Sequence, residues 1–133
     1  MLRIVVTALV FLGGLFFIMS GLSFLLQPQT TAPGLGLIPN GAIGLATTRA
    51  DFFAFFGLLG ICMIWGAWKR RGDLLLLPAL ALLMAIAARL LSLSLDGPNP
   101  AFASSIAIEG VLAALLLFAR AILPHHRLED VGE

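Results

Sequence analysis

Four long apolar stretches, at 3–26, 48–68, 74–95 and 101–123, alternate with short polar or glycine- and proline-rich breaks. Each is about 21–24 residues, and a helix needs roughly 20 to cross a hydrocarbon core. The pattern predicts an all-α, four-helix transmembrane bundle, a single integral-membrane domain over 1–133. The breaks are a long segment at 27–47, a basic turn Lys69-Arg70-Arg71-Gly72-Asp73, a short turn Asp96-Gly97-Pro98-Asn99-Pro100, and a polar tail from Pro124.

Composition agrees with the pattern. The chain is 60% hydrophobic and only 11% charged, whereas soluble domains average about 45–50% apolar and 25% charged. Lipid is therefore the expected solvent for most of the surface. The first stretch is longer than the roughly 7–15 residues of a signal-peptide core, and no Ala-x-Ala site follows it, so it reads as a retained helix. Cys62 lies alone inside an apolar block, which excludes an intrachain disulfide and suits a small packing residue.

Arg3, Lys69, Arg70, Arg71, Arg120 and Arg127 all fall on one side of a chain that crosses four times, while 27–48 and 96–100 contain no Lys or Arg. The positive-inside rule then places both termini in the cytoplasm, with an expected location in a bacterial inner membrane. Trp65 and Trp68, just before the basic turn, suit an interfacial anchor on that side. The segment 27–47 carries Pro28, Pro33 and Pro39 with four glycines, which oppose a continuous helix. It is also apolar and uncharged, so it reads as an outer loop, either an interfacial cover or a lid over the bundle mouth.

Arg89 and Glu109 interrupt the third and fourth stretches. A charge at the centre of a span costs roughly 2.5–3.5 kcal/mol on insertion scales. Both residues lie about 9–12 Å below the outer ends of their helices, and the short turn makes those helices adjacent and antiparallel. Arg89 shares a stripe with Ala85, Ser92 and Asp96, and Glu109 with Ser105 and Ala113, small or polar residues that lipid-facing surfaces rarely carry. Either an internal salt bridge fixing register or the polar centre of a ligand site would explain the pair.

Thr48-Arg49-Ala50-Asp51 has the form of a capping box, which would make Asp51 part of a helix N-terminus. The alternative joins Asp51 to Arg89, or Arg49 to Glu109, in one charge network at the outer mouth; Arg49 could also reach the headgroup layer. Phe52, Phe53, Phe55 and Phe56 occupy most of a helix circumference, so some face lipid and others, Phe52 and Phe55 among them, can wall an apolar pocket. Arg49, Asp51, Phe52, Phe55, Arg89, Ser92, Ser105 and Glu109 form the candidate ligand-binding set.

Glycines and other small residues cluster in the first two stretches, and Cys62-x-x-x-Gly66 is a small-x-x-x-small pair that allows close helix approach within the monomer. His125 and His126 adjoin each other in the tail, with Glu129 and Asp130 nearby, but two adjacent histidines do not make a metal site; no metal or cofactor is expected. P-loop, HExxH, GxSxG and CxxC motifs are absent, no basic patch interleaved with aromatics points to nucleic acid, and the third helix lacks the arginine spacing of a voltage sensor.

The arrangement resembles a family of small bacterial four-helix membrane proteins known only as a domain of unknown function. The resemblance rests on Gln27-Pro28 ending the first helix, Arg49-Ala50 opening the second, Arg89-Leu90-Leu91-Ser92 leading to Asp96-Gly97, and Glu109 near the start of the fourth. Members often carry a Gly pair where Phe53-Ala54 stands here. The family implies the topology and that these polar residues form a set; it implies no activity.

The leading expectation is a non-enzymatic membrane protein that holds a lipid or other amphiphile in an outer-leaflet cavity. The alternatives are an accessory or scaffold subunit of a larger membrane complex, bound to a membrane-protein partner and with a purely structural charge pair, and a minimal proton-coupled transporter acting as a homo-oligomer with Glu109 as coupling carboxylate. A lipid enzyme using Glu109 as acid or base is more distant.

Overall fold

The computed structural model describes residues 1–124. His125, His126, Arg127, Glu129 and Asp130 lie outside the described residues, and so does the expectation attached to the histidines. The described chain is all-α. Its elements are α1 (Leu2–Leu26), a single-turn α2 (Pro28–Thr31), α3 (Gly41–Trp68), α4 (Leu76–Asp96) and α5 (Pro100–Ile122), with 3₁₀ turns at Ala32–Leu35 and Gly72–Leu75. Among the described residues four helices are long and apolar enough to cross a membrane, that of α4 counted with its leading 3₁₀ turn.

The second long helix begins at Gly41, seven residues before the expected 48. None of the three prolines of 27–47 falls inside it: Pro28 opens α2, Pro33 is the second residue of the following 3₁₀ turn, and Pro39 precedes the helix. Proline favours the first turn of a helix, and glycine weakens a helix without ending it. The segment 27–47 is therefore half helix, and its first two turns project beyond the end of α1. Thr48 consequently sits mid-helix, where its hydroxyl donates to the Gly44 carbonyl at 2.8 Å, and the expected capping box with Asp51 does not form. Among the described residues the helix cap that does use a side chain is at α5, where Asn99 Oδ1 accepts from the Ala101 N–H at 2.9 Å ahead of Pro100.

Antiparallel α1 and α3 form one pair and α4 and α5 the other. The buried face of α1 is Val6, Val10, Gly14, Phe17, Gly21 and Phe24, three or four residues apart as one helical stripe requires. Gly14 and Gly60 let the two backbones touch, since a β-carbon on Gly60 would stand 2.7 Å from the Gly14 carbonyl oxygen. Gly66 has a different partner from the helix contact expected of Cys62-x-x-x-Gly66: it makes room for Leu75 of the turn.

The core that joins the two pairs sits at one end. It includes Val10, Met63 and Ala67 from the first pair and Leu75, Ala79, Leu116 and Ala119 from the second. This is the basic end, where Arg3, Lys69, Arg70, Arg71 and Arg120 gather. The turn there is docked on α5, with the Gly72 N–H donating to the Pro124 carbonyl at 3.1 Å. Toward the opposite end the pairs separate and enclose a cleft.

Candidate functional site

The turn between α4 and α5 sets the site. Gly97 takes a left-handed φ of 87°, which frees the chain to reverse before Asn99 starts α5. The two helices then run side by side, and Arg89 Nε donates to both carboxylate oxygens of Glu109, at 3.0 and 2.9 Å. The ion pair expected from matched depth on neighbouring helices is therefore formed. Glu109 is the more enclosed partner, its side chain 16% exposed against 33% for Arg89. No other bond ties the guanidinium among the described residues, so both its NH₂ groups remain available to a ligand.

The pair stands in the wall of a cleft of about 480 Å³ between the helix pairs. That volume lies within the roughly 300–1,000 Å³ of small-molecule sites. Phe52, Phe55, Ser105, Arg89 and Glu109 from the candidate set all line it. Phe52 and Phe56 stack on Phe24 at centroid separations of 4.7 and 5.6 Å, and Phe56 also meets Phe17 at 5.8 Å. Offset aromatic pairs at these separations are mutually attractive and make a stiff wall. Phe53 instead points outward, 39% exposed.

Three members of the candidate set lie outside this wall. Ser92 is one turn beyond Arg89 on α4. Asp51 is exposed and makes no ion pair among the described residues. Arg49 turns toward α1, where its Nε donates to the Leu25 carbonyl at 3.2 Å. The alternative of one charge network joining Arg49 and Asp51 to Arg89 and Glu109 is thus not assembled. The last carbonyls of a helix lack internal partners and carry negative partial charge, so a cation is stabilised there. Starting α3 two turns early brings Arg49 level with that terminus.

The cleft also recruits residues outside the candidate set. Ser20, Ser23 and Phe24 of α1 line it, and so do Thr31, Gly34 and Leu35 of the connecting segment. The Ser20 and Ser23 hydroxyls donate to the Phe16 and Met19 carbonyls, each at 2.9 Å, which leaves their oxygens as acceptors. Thr31 donates to the Ser23 carbonyl at 3.3 Å and pins the segment onto α1 beside the cleft. Phe17 and Phe24 of the buried α1 stripe also line the cleft, whereas Ser20 and Ser23 lie beside that stripe and have no comparable signal in the sequence. Among the described residues no three of His, Cys, Asp and Glu gather as a metal site would need.

The sequence pattern of the family described as Domain of unknown function (DUF4345) matches residues 5–120. The chain belongs to this family. No curated protein and no solved structure matches the chain. The DUF4345 match spans Arg49, Arg89, Ser92, Asp96 and Glu109, the positions that carry the resemblance, and with them every described residue of the cleft. Family membership and four membrane-length apolar helices give a membrane protein of unknown activity.

Proposed function

We propose that the protein is a non-enzymatic binder of a membrane amphiphile, held in the cleft with its headgroup at Arg89–Glu109 and its tail along Phe24, Phe52, Phe55 and Phe56. One observation carries this reading: an apolar, aromatic-walled cleft ends at a guanidinium with both NH₂ groups unspent. Glu109 already neutralises Arg89, so a fully anionic headgroup would bring excess negative charge to a poorly hydrated place. A neutral or zwitterionic headgroup rich in carbonyl, ester or hydroxyl acceptors fits better, and the serine hydroxyls add polar contacts. Thr31, Gly34 and Leu35 act as the rim.

The test uses native mass spectrometry of protein purified in mild detergent. Ala85→Phe puts a ring into the cleft without touching either charge, and should fold normally while losing a co-purified amphiphile at least tenfold. Glu109→Gln should also reduce occupancy. An unchanged lipid complement in Ala85→Phe would overturn the reading. Stable co-purification of a protein partner would favour the scaffold alternative, and proton flux in proteoliposomes that vanishes with Glu109→Gln would favour transport.

The proposed setting is a bacterial inner membrane with both termini cytoplasmic. The gathering of Arg3, Lys69, Arg70, Arg71 and Arg120 at one end supports it. In a Cys62→Ala background, Gln29→Cys should react with an impermeant maleimide added to intact cells, and Lys69→Cys only after lysis. The reverse pattern would invert the topology.

A further inference from the structure

The basic end has a cleft of its own. Arg3, Thr7 and Arg70 line a small recess of about 100 Å³ together with Leu123 and Pro124. Ile4, Thr7 and Arg70 also line a second, apolar groove of about 480 Å³, which continues along α1 and α3 past Ala8, Phe11 and Trp68. The shared residues make one surface with a cationic head and an apolar stem.

The backbone at Arg70 is a separate observation. α3 ends with the Arg71 N–H on the Gly66 carbonyl at 2.9 Å and the Arg70 N–H on the Ala67 carbonyl at 3.2 Å. This closure puts Arg70 in the left-handed region, φ 51°, the only non-glycine residue there among those described. Glycine normally fills that position because a side chain is unfavourable in it. An arginine there places a cation over the groove at a conformational cost.

Neighbouring Arg71 is spent differently. It donates to Asp73 through Nη2 at 2.6 Å and Nε at 3.3 Å, and the hydrogen bond to Asp73 pushes its guanidinium above the ordinary arginine range. Arg3 and Arg70 form no ion pair among the described residues. The Thr7 hydroxyl donates to the Arg3 carbonyl at 2.7 Å, so its oxygen is left to accept.

We propose that this surface is a second, distinct lipid site that holds one anionic phospholipid, its phosphate between Arg3 and Arg70 and an acyl chain along Ala8, Phe11 and Trp68. Charge complementarity selects the occupant. Two guanidinium groups without an ion pair among the described residues, at the mouth of an apolar groove, suit an anion with a hydrocarbon tail, the reverse of the internally neutralised pair at the other end.

The test reconstitutes the whole chain into nanodiscs of equal phosphatidylglycerol and phosphatidylcholine and reads retained lipid by native mass spectrometry. Phosphatidylglycerol should be retained preferentially. Arg3→Gln and Arg70→Gly should each lower that preference about fivefold, with Tm in Arg70→Gly equal or higher because the strained position is relieved. Lys69→Gln removes the adjacent charge outside the recess and should leave the preference intact. An equal loss in all three variants would mean diffuse attraction and overturn the site. Displacement of the lipid by an equal concentration of inorganic phosphate would do the same for the acyl groove. Glu129, Asp130 and Glu133 of the tail are the competing anions. Neutralising them should change nothing, and a preference that appears only then would make the tail the occupant. Ala85→Phe at the other cleft should leave phosphatidylglycerol retention unaltered, so the two sites fail separately.

Discussion

Removing one member of the Arg89–Glu109 pair is expected to cost more stability than removing both. Arg89→Met leaves a carboxylate that is only 16% exposed without its counter-ion, whereas Glu109→Gln leaves a guanidinium that is 33% exposed and still has a side-chain carbonyl to donate to. The first change should therefore be the worse. Breaking a fully buried pair costs about 3–5 kcal/mol, and partial exposure discounts that to roughly 2–4 kcal/mol for Arg89→Met and about 1–2 kcal/mol for Glu109→Gln. The double variant should recover much of the loss, because desolvating the pair offsets most of its attraction. Equilibrium unfolding of the four proteins in mixed detergent micelles measures the cycle. Additive single effects would show that the two charges do not depend on each other in the folded state.

The pair is legible in the sequence because its determinants are local, whereas those of its surroundings are not. Span length and hydropathy fix the depth of a residue, and a five-residue turn fixes which helices are neighbours, so the amino-acid pattern alone pairs Arg89 with Glu109. Arg49 follows no such rule. Its partner is a main-chain carbonyl on α1, which no side-chain pattern announces, and the start of α3 at Gly41 is hidden by glycines that weaken a helix but do not break it. Ser20 and Ser23 are hidden for another reason. α1 has no charge within its apolar run, and its contribution to the cleft depends on how closely its glycines let it approach α3.

Core and cleft lie toward opposite ends of the same four helices and meet at Phe17 and Leu82. Interior packing of Leu75, Ala79, Leu116 and Ala119 against Val10, Met63 and Ala67 holds the helix pairs together at the basic end. At the far end Phe24, Pro28 and Ala32 are buried along α1 and the connecting segment, and the charged pair ties α4 to α5 rather than one pair to the other. The basic end can thus carry stability while the other stays open to a ligand, and substitutions should divide along that line. Cleft variants such as Ala85→Phe change occupancy, whereas variants in the α1–α3 contact change folding.

Gly60→Val should be the most damaging single apolar substitution in that contact. A β-carbon at Gly60 would meet the Gly14 carbonyl oxygen at 2.7 Å and Ile18 Cγ1 at 2.7 Å. Ile18 can rotate, but the carbonyl belongs to the helix backbone, so α1 and α3 must move apart along their whole contact. Overpacking a tight interior costs about 1–3 kcal/mol, and a branched side chain against backbone belongs at or above the top of that range. Three residues earlier, a β-carbon at Gly57 would find nothing within 4 Å. Gly57→Ala should instead be neutral or stabilise by about 0.5–1 kcal/mol, the ordinary gain of alanine over glycine in a helix. Thermal denaturation in one detergent compares the two directly. The matched pair Gly57→Ala and Gly60→Ala completes the test: equal effects would refute a backbone-limited contact, because the gain in helix propensity is then the same and only the facing Gly14 carbonyl and Ile18 distinguish the two positions.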